Sequence, residues 1–391
     1  MTPPARTQAA IELLDRIIVA AREGGAAGDV LVQRYFAERR YAGSKDRRAV
    51  RELVFAAVRA CGEPPASGRA AMLALAAEDV ALAATFDGSA HGPAPIGADE
   101  RGAERGVAPA WLIETLRASG VAVADMPALV ERAPLDIRVN RMAATPDEVA
   151  ARLPGAEPIA GLPDALRLPS GTNVAELAGA VEVQDAGSQA VTLVAQARPG
   201  QRVVDLCAGG GGKTLALAAA MGNEGAILAC DVDRARLQQL PPRAARAGVT
   251  IAEPRLLNPG REVEMLSDWR DTADCVFVDA PCSGTGTWRR NPEARWRLTP
   301  DRLAKLAGTQ AHVLDVAAAL VRPGGVLIYV VCSLLDAEGR DRVDTFLAAH
   351  QGWTAEALNL PFGRPHGAGL RLTPAHDRTD GFFVARLTRS C

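Results

Sequence analysis

The chain of 391 residues contains no apolar run approaching the ~20 residues that a membrane-spanning helix needs. Its opening, MTPPARTQAA, lacks the apolar core of a secretory signal, so a cytoplasmic protein with no membrane partner is the expectation. Cysteine is sparse and never spaced as CxxC: Cys61, Cys207, Cys230, Cys275, Cys282, Cys332 and Cys391 read as free thiols, not as a disulfide lattice. The five histidines, His91, His312, His350, His366 and His376, show no metal-ligand spacing, and no metal is expected. Basic excess is missing too: the net charge is −2, which counts against a surface coated in nucleic acid. Lysine is nearly absent, with Lys45, Lys213 and Lys305 the only lysines among 44 basic residues. Arginine-rich usage of this kind reflects codon composition more than function, yet it makes a lone lysine in a glycine-rich loop, Lys213, stand out.

What is present divides the chain into zones. Its length suggests two or three domains. Apolar residues recur at spacings of three and four (Leu13, Leu14, Ile17, Ile18, then Val50, Leu53, Val54), predicting an all-α domain over 1–75. The cluster Arg39, Arg40, Lys45, Arg47, Arg48 and Arg51 is either an RNA-facing patch or a solvated face. The stretch 76–108, rich in Gly, Pro and Ala, reads as a linker or irregular region. A small α+β unit is predicted over 109–179. There LDIRVN (Leu135 to Asn140) alternates like a strand, and Thr145 with Pro146 caps a helix running to Leu153.

From 180 to 391 strands and helices alternate, which predicts an α/β fold with a doubly wound, mostly parallel sheet. Strands are expected at Arg202 to Cys207, Ala226 to Asp231, Asp274 to Asp279 and Gly325 to Cys332, with a late antiparallel strand in GFFVARL from Gly381. Helices are expected after Lys213, from Asp233 to Leu240, and from Pro300 to Val321. Pro241 and Pro242 should end the middle one, apart from a possible further turn to Ala247.

Two cysteines close apolar runs of this zone: Cys282 ends CVFVDAPC and Cys332 ends VLIYVVC. If those strands are neighbours, both thiols lie at the carboxyl edge, where ligands of such sheets bind. Two thiols could then reach one small substrate.

The segment VVDLCAGGGGKT (Val203 to Thr214) puts a Gly-rich turn between a strand and a helix, so backbone and helix-start amides can approach a ligand. A P-loop needs Gly six residues before its lysine, where Cys207 stands, and no register of Gly209 to Gly212 completes G-x-G-x-x-G. The reading left is S-adenosylmethionine, with Asp205 orienting its methionine end and Asp231, at the tip of the second strand, gripping ribose hydroxyls.

The blocks LCAGGGGKT, ACDVDRARL, VDAPCSGTGTWRRNPEARW and VVCSLL together resemble the Sun or RsmB family of RNA cytosine carbon-5 methyltransferases. QDAGSQ (Gln184 to Gln189) and DGFFVA (Asp380 to Ala385) are similar to that family's flanking segments. SKDRRAVRELVF (Ser44 to Phe55) resembles the NusB-like helical domain of its ribosomal members. The resemblance implies a Rossmann-like methyltransferase sheet, preceded by a small α+β RNA-binding subdomain and an all-α NusB-like domain. It implies an enzyme that methylates carbon 5 of a cytosine in 16S rRNA; transfer RNA as substrate, or a noncatalytic assembly factor, are the alternatives. A monomer is expected. Cofactor contacts would fall on Asp205, Cys207, Ala208, Gly209, Gly210, Gly211, Gly212, Lys213, Asp231, Arg236 and Asp279. RNA contacts would fall on Arg138, Asn140, Arg289, Arg290, Arg295 and Arg297.

By the same resemblance Cys332 is the attacking thiol and Cys282 the residue that releases product. Asp279 would bind the cytosine edge or the cofactor's methionine end. Lys213 would reach the base carbonyl, or else is a helix-start surface residue. Trp288 and Trp296 with the arginines of TWRRNPEARWR suit stacked bases and phosphates, against the alternative of a Trp-anchored loop. The chain departs from the family at Gly209 and Gly210, where Ala-Pro is usual, and at Val331, where Thr is usual. The family's adenosine-contacting acid has no clear counterpart; Asn258 and Asp268 are the candidates.

Overall fold

The computed structural model describes residues 1–391. Its chain falls into two compact units. One comprises Met1–Arg132 together with Thr287–Thr299, the other Ala133–Gly286 together with Pro300–Cys391.

The first unit is helical: α1 (Pro3–Glu23), α2 (Gly28–Glu38), α3 (Ser44–Ala60) and α4 (Gly68–Ala76) lead it. Thr2 caps α1, and prolines fill its first turn, where the missing N–H costs nothing. The three- and four-residue spacing turns Leu13, Leu14 and Ile17 of α1 toward Val50 and Val54 of α3 and Met72 of α4 in one apolar core. The stretch 76–108 is largely irregular, but it adds the short helix Val80–Ala83, and Leu82 and Phe86 enter that core. Cations of the α2–α3 region are divided. Arg39 lies over the Tyr35 ring and Arg51 pairs with Asp29, while Arg40, Lys45 and Arg48 stay exposed.

The second unit holds two sheets. Strands β1 (Leu135–Val139), β2 (Glu157–Pro158), β3 (Ala165–Leu168) and β4 (Val181–Val183) form an antiparallel sheet in the order β2-β3-β1-β4. The helix Pro146–Arg152 begins with a capping box between Thr145 and Glu148 and drops Val149 onto this sheet's core.

The larger sheet comprises β5 (Arg202–Asp205), β6 (Ala226–Asp231), β7 (Ala252–Leu256), β8 (Ala273–Asp279), β9 (Val321–Val331), β10 (Trp353–Ala355), β11 (Arg364–His366), β12 (Gly369–Leu372) and β13 (Phe382–Arg389). Its order is β11-β12-β13-β9-β8-β5-β6-β7, with β10 pairing β13. Strands β9, β8, β5, β6 and β7 run parallel, and β13 lies antiparallel against β9. Apolar side chains pack on both faces, Val203, Ile227 and Phe277 on one and Val204, Leu228 and Val276 on the other, which is why these strands read as unbroken hydrophobic runs.

Two local expectations change. Pro241 and Pro242 do not end a helix; they open one, Leu240–Ala247, after the short Arg234–Leu237 helix, because the first turn tolerates proline. Strand β7 was not expected. It is an edge strand, partly exposed and interrupted by Pro254, so it lacks the apolar signature of its neighbours.

Candidate active site

The chain leaves β5 for β6 on one side and later returns as β8 on the other, so the sheet's topological switch lies between β5 and β8. The crevice outside the carboxyl ends of such strands is where this fold class binds ligands. Four strand ends deliver polar side chains there: Asp205 closes β5, Asp231 closes β6, Asp279 closes β8, and Cys332 follows β9.

Parallel pairing of β8 and β9 sets Asp279 opposite Val330, and the loops beyond them bring the Cys282 and Cys332 sulfurs within 3.3 Å. Both thiols are partly exposed, whereas Cys230 and Cys275 are sealed in the core. The hydrogen bond to the Cys332 sulfur, then burial, push the Cys282 thiol well above its ordinary pKa, so it is held protonated. Burial raises Cys275 to about 12 and drives Cys207 and Cys230 higher as well, leaving these three as inert thiols.

Lys213, in the first turn of the helix Gly212–Ala220, donates to Asp279 Oδ2 at 2.7 Å. Burial would lower its pKa, but the charge of Asp279 and this hydrogen bond outweigh that and hold the ammonium above its usual value. The salt bridge joins the glycine loop to the Cys282 strand and gives the crevice one fixed cation.

The loop itself is shaped by backbone constraints. Gly209 has φ +53°, and a Cβ there would meet the Arg236 guanidinium at 2.5 Å; Gly211 has φ +83°, and a Cβ would strike Leu240. The Gly209 N–H donates to Asp231 Oδ2 at 2.7 Å, so the acid at the tip of β6 anchors the loop. Arg243 donates to the Gly210 carbonyl and pairs with Glu182, a contact nothing in the sequence announced. Cys207 and Ala208 lie half-buried on the strand side of this turn.

Asp205 is fully buried. Its Oδ2 accepts from Thr214 Oγ1 at 2.6 Å, while its Oδ1 has no partner. An orphaned carboxylate oxygen beside a glycine loop, with a second acid one strand away, fits S-adenosylmethionine, which carries an ammonium at one end and ribose hydroxyls at the other. Of the two candidates for the adenine side, Asn258 lies just past the end of β7, next to the β6 tip, whereas Asp268 is tied to Arg255 at 2.7 Å.

Burial raises Asp205 to about 7 from 3.8. The folded state therefore binds a proton that the unfolded chain releases, and this site's stability falls as pH rises from about 4 to 7. Asp205→Asn keeps the Thr214 bond but removes the charge. In thermal unfolding of the ligand-free protein, the variant is expected to gain on its parent from pH 5 to pH 8 by on the order of 2 kcal/mol. Its affinity for S-adenosylmethionine, by calorimetry, should fall at least about tenfold. A variant no more favoured at pH 8 than at pH 5 would show that the buried carboxyl is not the source of strain.

Sequence reasoning missed a buried group beneath the thiols. Glu338 is 1% exposed, and its carboxylate accepts from the Ser283 N–H at 2.8 Å, the Ser283 hydroxyl, the Ser333 hydroxyl at 2.5 Å and Gln310 Nε2 at 3.0 Å. Each serine directly follows one of the two cysteines, and that repeated Cys-Ser pair was the available signal.

The expected RNA-contacting arginines are corrected in part. Arg295 is 0% exposed inside the helical unit, where it donates to the carbonyls of Val58 at 2.6 Å and Cys61 at 2.7 Å, which lie at the end of α3. Arg297 donates to Ala20, Gly25 and Ala26 carbonyls at the end of α1. Trp288 and Trp296 are buried, the latter donating to the Cys61 and Gly62 carbonyls at 3.2 Å, so neither offers a face to a base. The Trp-anchored alternative describes this segment. Arg289 is 7% exposed, and Arg290 is partly exposed. In the β1 unit, Arg138 donates to Gln184 and Asn140 to the Gly179 and Ala247 carbonyls; both are buried and serve packing.

Arg295→Ala would strip partners from several buried carbonyls and is expected to cost at least about 3 kcal/mol of stability in the helical unit. RNA affinity, measured by filter binding below the unfolding transition, should stay within about twofold of the parent. A folded variant with sharply weaker RNA binding would restore the contact reading.

No set of three or more His, Cys, Asp or Glu donors is gathered for a metal, and no helix is long and apolar enough to cross a membrane. The family model described as 16S rRNA methyltransferase RsmB/F matches residues 192–388. The probable ribosomal RNA small subunit methyltransferase B of Synechocystis sp. is 36% identical over 273 residues, 66% of this chain and 60% of the relative. Ribosomal RNA small subunit methyltransferase B of Salmonella heidelberg is 34% identical over 269 residues, with the same coverage. The chain thus spans about 60% of the length of the curated relatives it matches. Among solved structures, PH0851 superposes with TM-score 0.77 at 25% identity over 99% of both chains. NSun6 from Pyrococcus horikoshii with SFG gives TM-score 0.64 at 19% identity over 72% of this chain and 98% of its own, a likeness of fold. A Gly-rich loop between two strand-end acids, two thiols in contact on neighbouring strands, and a family match over half its length agree: the chain belongs to the RsmB/F family of 16S rRNA methyltransferases.

Proposed function

We propose that this protein transfers a methyl group from S-adenosylmethionine to carbon 5 of a cytosine in RNA, with 16S rRNA as the substrate, through a covalent bond between Cys332 and the base. The observation that carries the reading is the pair of sulfurs 3.3 Å apart at the carboxyl edge, flanked by the Lys213–Asp279 salt bridge. Carbon 5 of cytosine is too electron-poor to attack a methyl group unaided. Addition of the Cys332 thiolate to carbon 6, with a proton taken up at N3, makes carbon 5 nucleophilic. When bound, S-adenosylmethionine supplies the electrophilic methyl group. Loss of the carbon-5 proton to water then lets the carbon 6–sulfur bond break, returning the electron pair to Cys332, and the N3 proton leaves to give neutral 5-methylcytosine.

Each residue has a role in this scheme. Asp205 and Asp231 hold the two ends of the cofactor, with the loop Gly209 to Gly212 and the side chain of Arg236 along it. Asp279 faces the N3 edge of the base, and the Lys213 ammonium offsets charge that builds on the ring. Cys282, kept protonated 3.3 Å from the nucleophile, donates its hydrogen bond to the Cys332 sulfur as that sulfur leaves carbon 6. The helical unit is read as NusB-like and, with the β1 sheet unit, as a platform for RNA through surfaces other than the buried Arg138, Asn140 and Arg295.

Incubation of the full chain with total RNA and methyl-labelled S-adenosylmethionine, followed by bisulfite sequencing, tests the reading. Label in 16S rRNA at a single 5-methylcytosine is expected. Label confined to transfer RNA would move the substrate, and none in any RNA would sink the enzymatic reading.

A further inference from the structure

The active site holds two thiols in contact, and symmetry of chemistry alone does not say which of them gives up its proton to become the nucleophile. Their surroundings differ. The Glu338 carboxylate accepts the N–H of Ser283, the amide directly after Cys282, at 2.8 Å, and it reaches the other loop only through the hydroxyl of Ser333 at 2.5 Å. Its charge is therefore placed on the Cys282 side of the pair. Lys213 is paired with Asp279 at 2.7 Å. The other titratable neighbours do little to favour either sulfur: Lys213 and Asp279 offset one another in their salt bridge, and Tyr329 and Cys207 are kept uncharged by burial.

We infer that Glu338 is a positioning residue that decides which thiol is the nucleophile: its charge, anchored at Ser283, keeps the shared proton on Cys282 and leaves the electron pair on Cys332. Once the pair has lost one of its two protons, the remaining one lies between two sulfurs 3.3 Å apart. The negative Glu338 carboxylate, bound to the amide that directly follows Cys282, tilts that proton toward Cys282. The same carboxylate fixes the geometry. It bridges the Cys-Ser loops of β8 and β9, while Gln310 ties it to the Pro281 carbonyl at 3.0 Å and the Gly286 N–H binds the Cys332 carbonyl at 3.0 Å. The Tyr329 hydroxyl donates to the Glu338 backbone carbonyl at 2.7 Å and holds the residue beneath the pair. Burying a charge under a reactive pair is costly unless its hydrogen bonds are complete, and here four donors complete them.

The inference rests on the proposed reading in which Cys332 attacks, but it can be tested without RNA or cofactor. The full chain is treated with limiting iodoacetamide at fixed pH, and label on Cys282 and Cys332 is quantified by peptide mass spectrometry against the exposed Cys391. The parent should label Cys332 over Cys282 by at least about tenfold, and Glu338→Gln, nearly the same shape without the charge, should lower that ratio about tenfold. In methylation assays the same variant should lose kcat with KM for both substrates within about twofold, because the side chain touches neither. A parent that labels chiefly at Cys282 refutes the assignment of the nucleophile itself. A parent preference for Cys332 that survives unchanged in folded Glu338→Gln refutes the role of Glu338 alone. Should Glu338→Gln fail to fold, Glu338→Asp, which keeps the charge one methylene further back, should still favour Cys332 by about threefold or more; an even distribution in that folded variant overturns the inference.

Discussion

Cys282→Ala is expected to turn the protein from a catalyst into a trap. Incubated with substrate RNA and S-adenosylmethionine, the variant should form a protein–RNA complex that survives denaturing electrophoresis, while multiple-turnover methylation falls at least about 1,000-fold. The reasoning starts from position. The Cys282 sulfur lies 3.3 Å from Cys332, so a base bonded to Cys332 must sit against it. Its thiol is held protonated by that neighbour and by burial, which suits a hydrogen-bond donor to the departing Cys332 sulfur and not an attacking group. Removing it leaves the Lys213–Asp279 pair and the glycine loop in place, so covalent addition proceeds and only release is lost. Variant protein that retains a tenth of the parent turnover and shows no shifted band would remove Cys282 from the release step.

Cys332→Ala should have the larger effect on rate, with no methylation above about 10⁻⁴ of the parent and no covalent complex. Affinity for S-adenosylmethionine should remain within about threefold, since that ligand is assigned to Asp205, Asp231 and the glycine loop. The double variant carries the sharper information. If the trap in Cys282→Ala depends on a bond to Cys332, adding Cys332→Ala must abolish it; the two effects are coupled through one intermediate and cannot add. A covalent complex in Cys332→Ala alone would reverse the two roles.

These expectations sit on features of different legibility. The loop LCAGGGGKT was readable because its signal is local. A short apolar run followed by glycines and a helix start can be little other than a strand, a tight turn and a ligand-facing helix end, and the structure places Gly209 and Gly211 at positive φ where side chains would collide. The late strand in GFFVARL was readable for a similar reason: it is apolar apart from Arg386 and runs antiparallel against β9 in the core. Strand β7 was invisible because an edge position removes the apolar pattern that betrays its neighbours.

The segment TWRRNPEARWR shows where local reading fails. Arginines interleaved with tryptophans describe a stacking surface for bases equally well as a buried anchor. The decision depends on partners far away in the chain: Arg295 meets the Val58 carbonyl across 237 residues and Trp296 the Cys61 carbonyl across 235. No window of sequence contains that information.

By itself the sequence determined the chemistry on offer: which strand ends carry Asp205, Asp231 and Asp279, that a glycine loop follows the first of them, and that two cysteines each close an apolar run. Those facts follow from hydrophobic period and from the backbone freedom of glycine, both of which act over a few residues. Only the tertiary structure decided that β8 and β9 are neighbours, that their thiols touch, and that one buried carboxylate at Glu338 holds both loops. Strand order and the partners of buried polar groups are set by packing between segments far apart in sequence. That is why two cysteines 50 positions apart become a single site only in the folded chain.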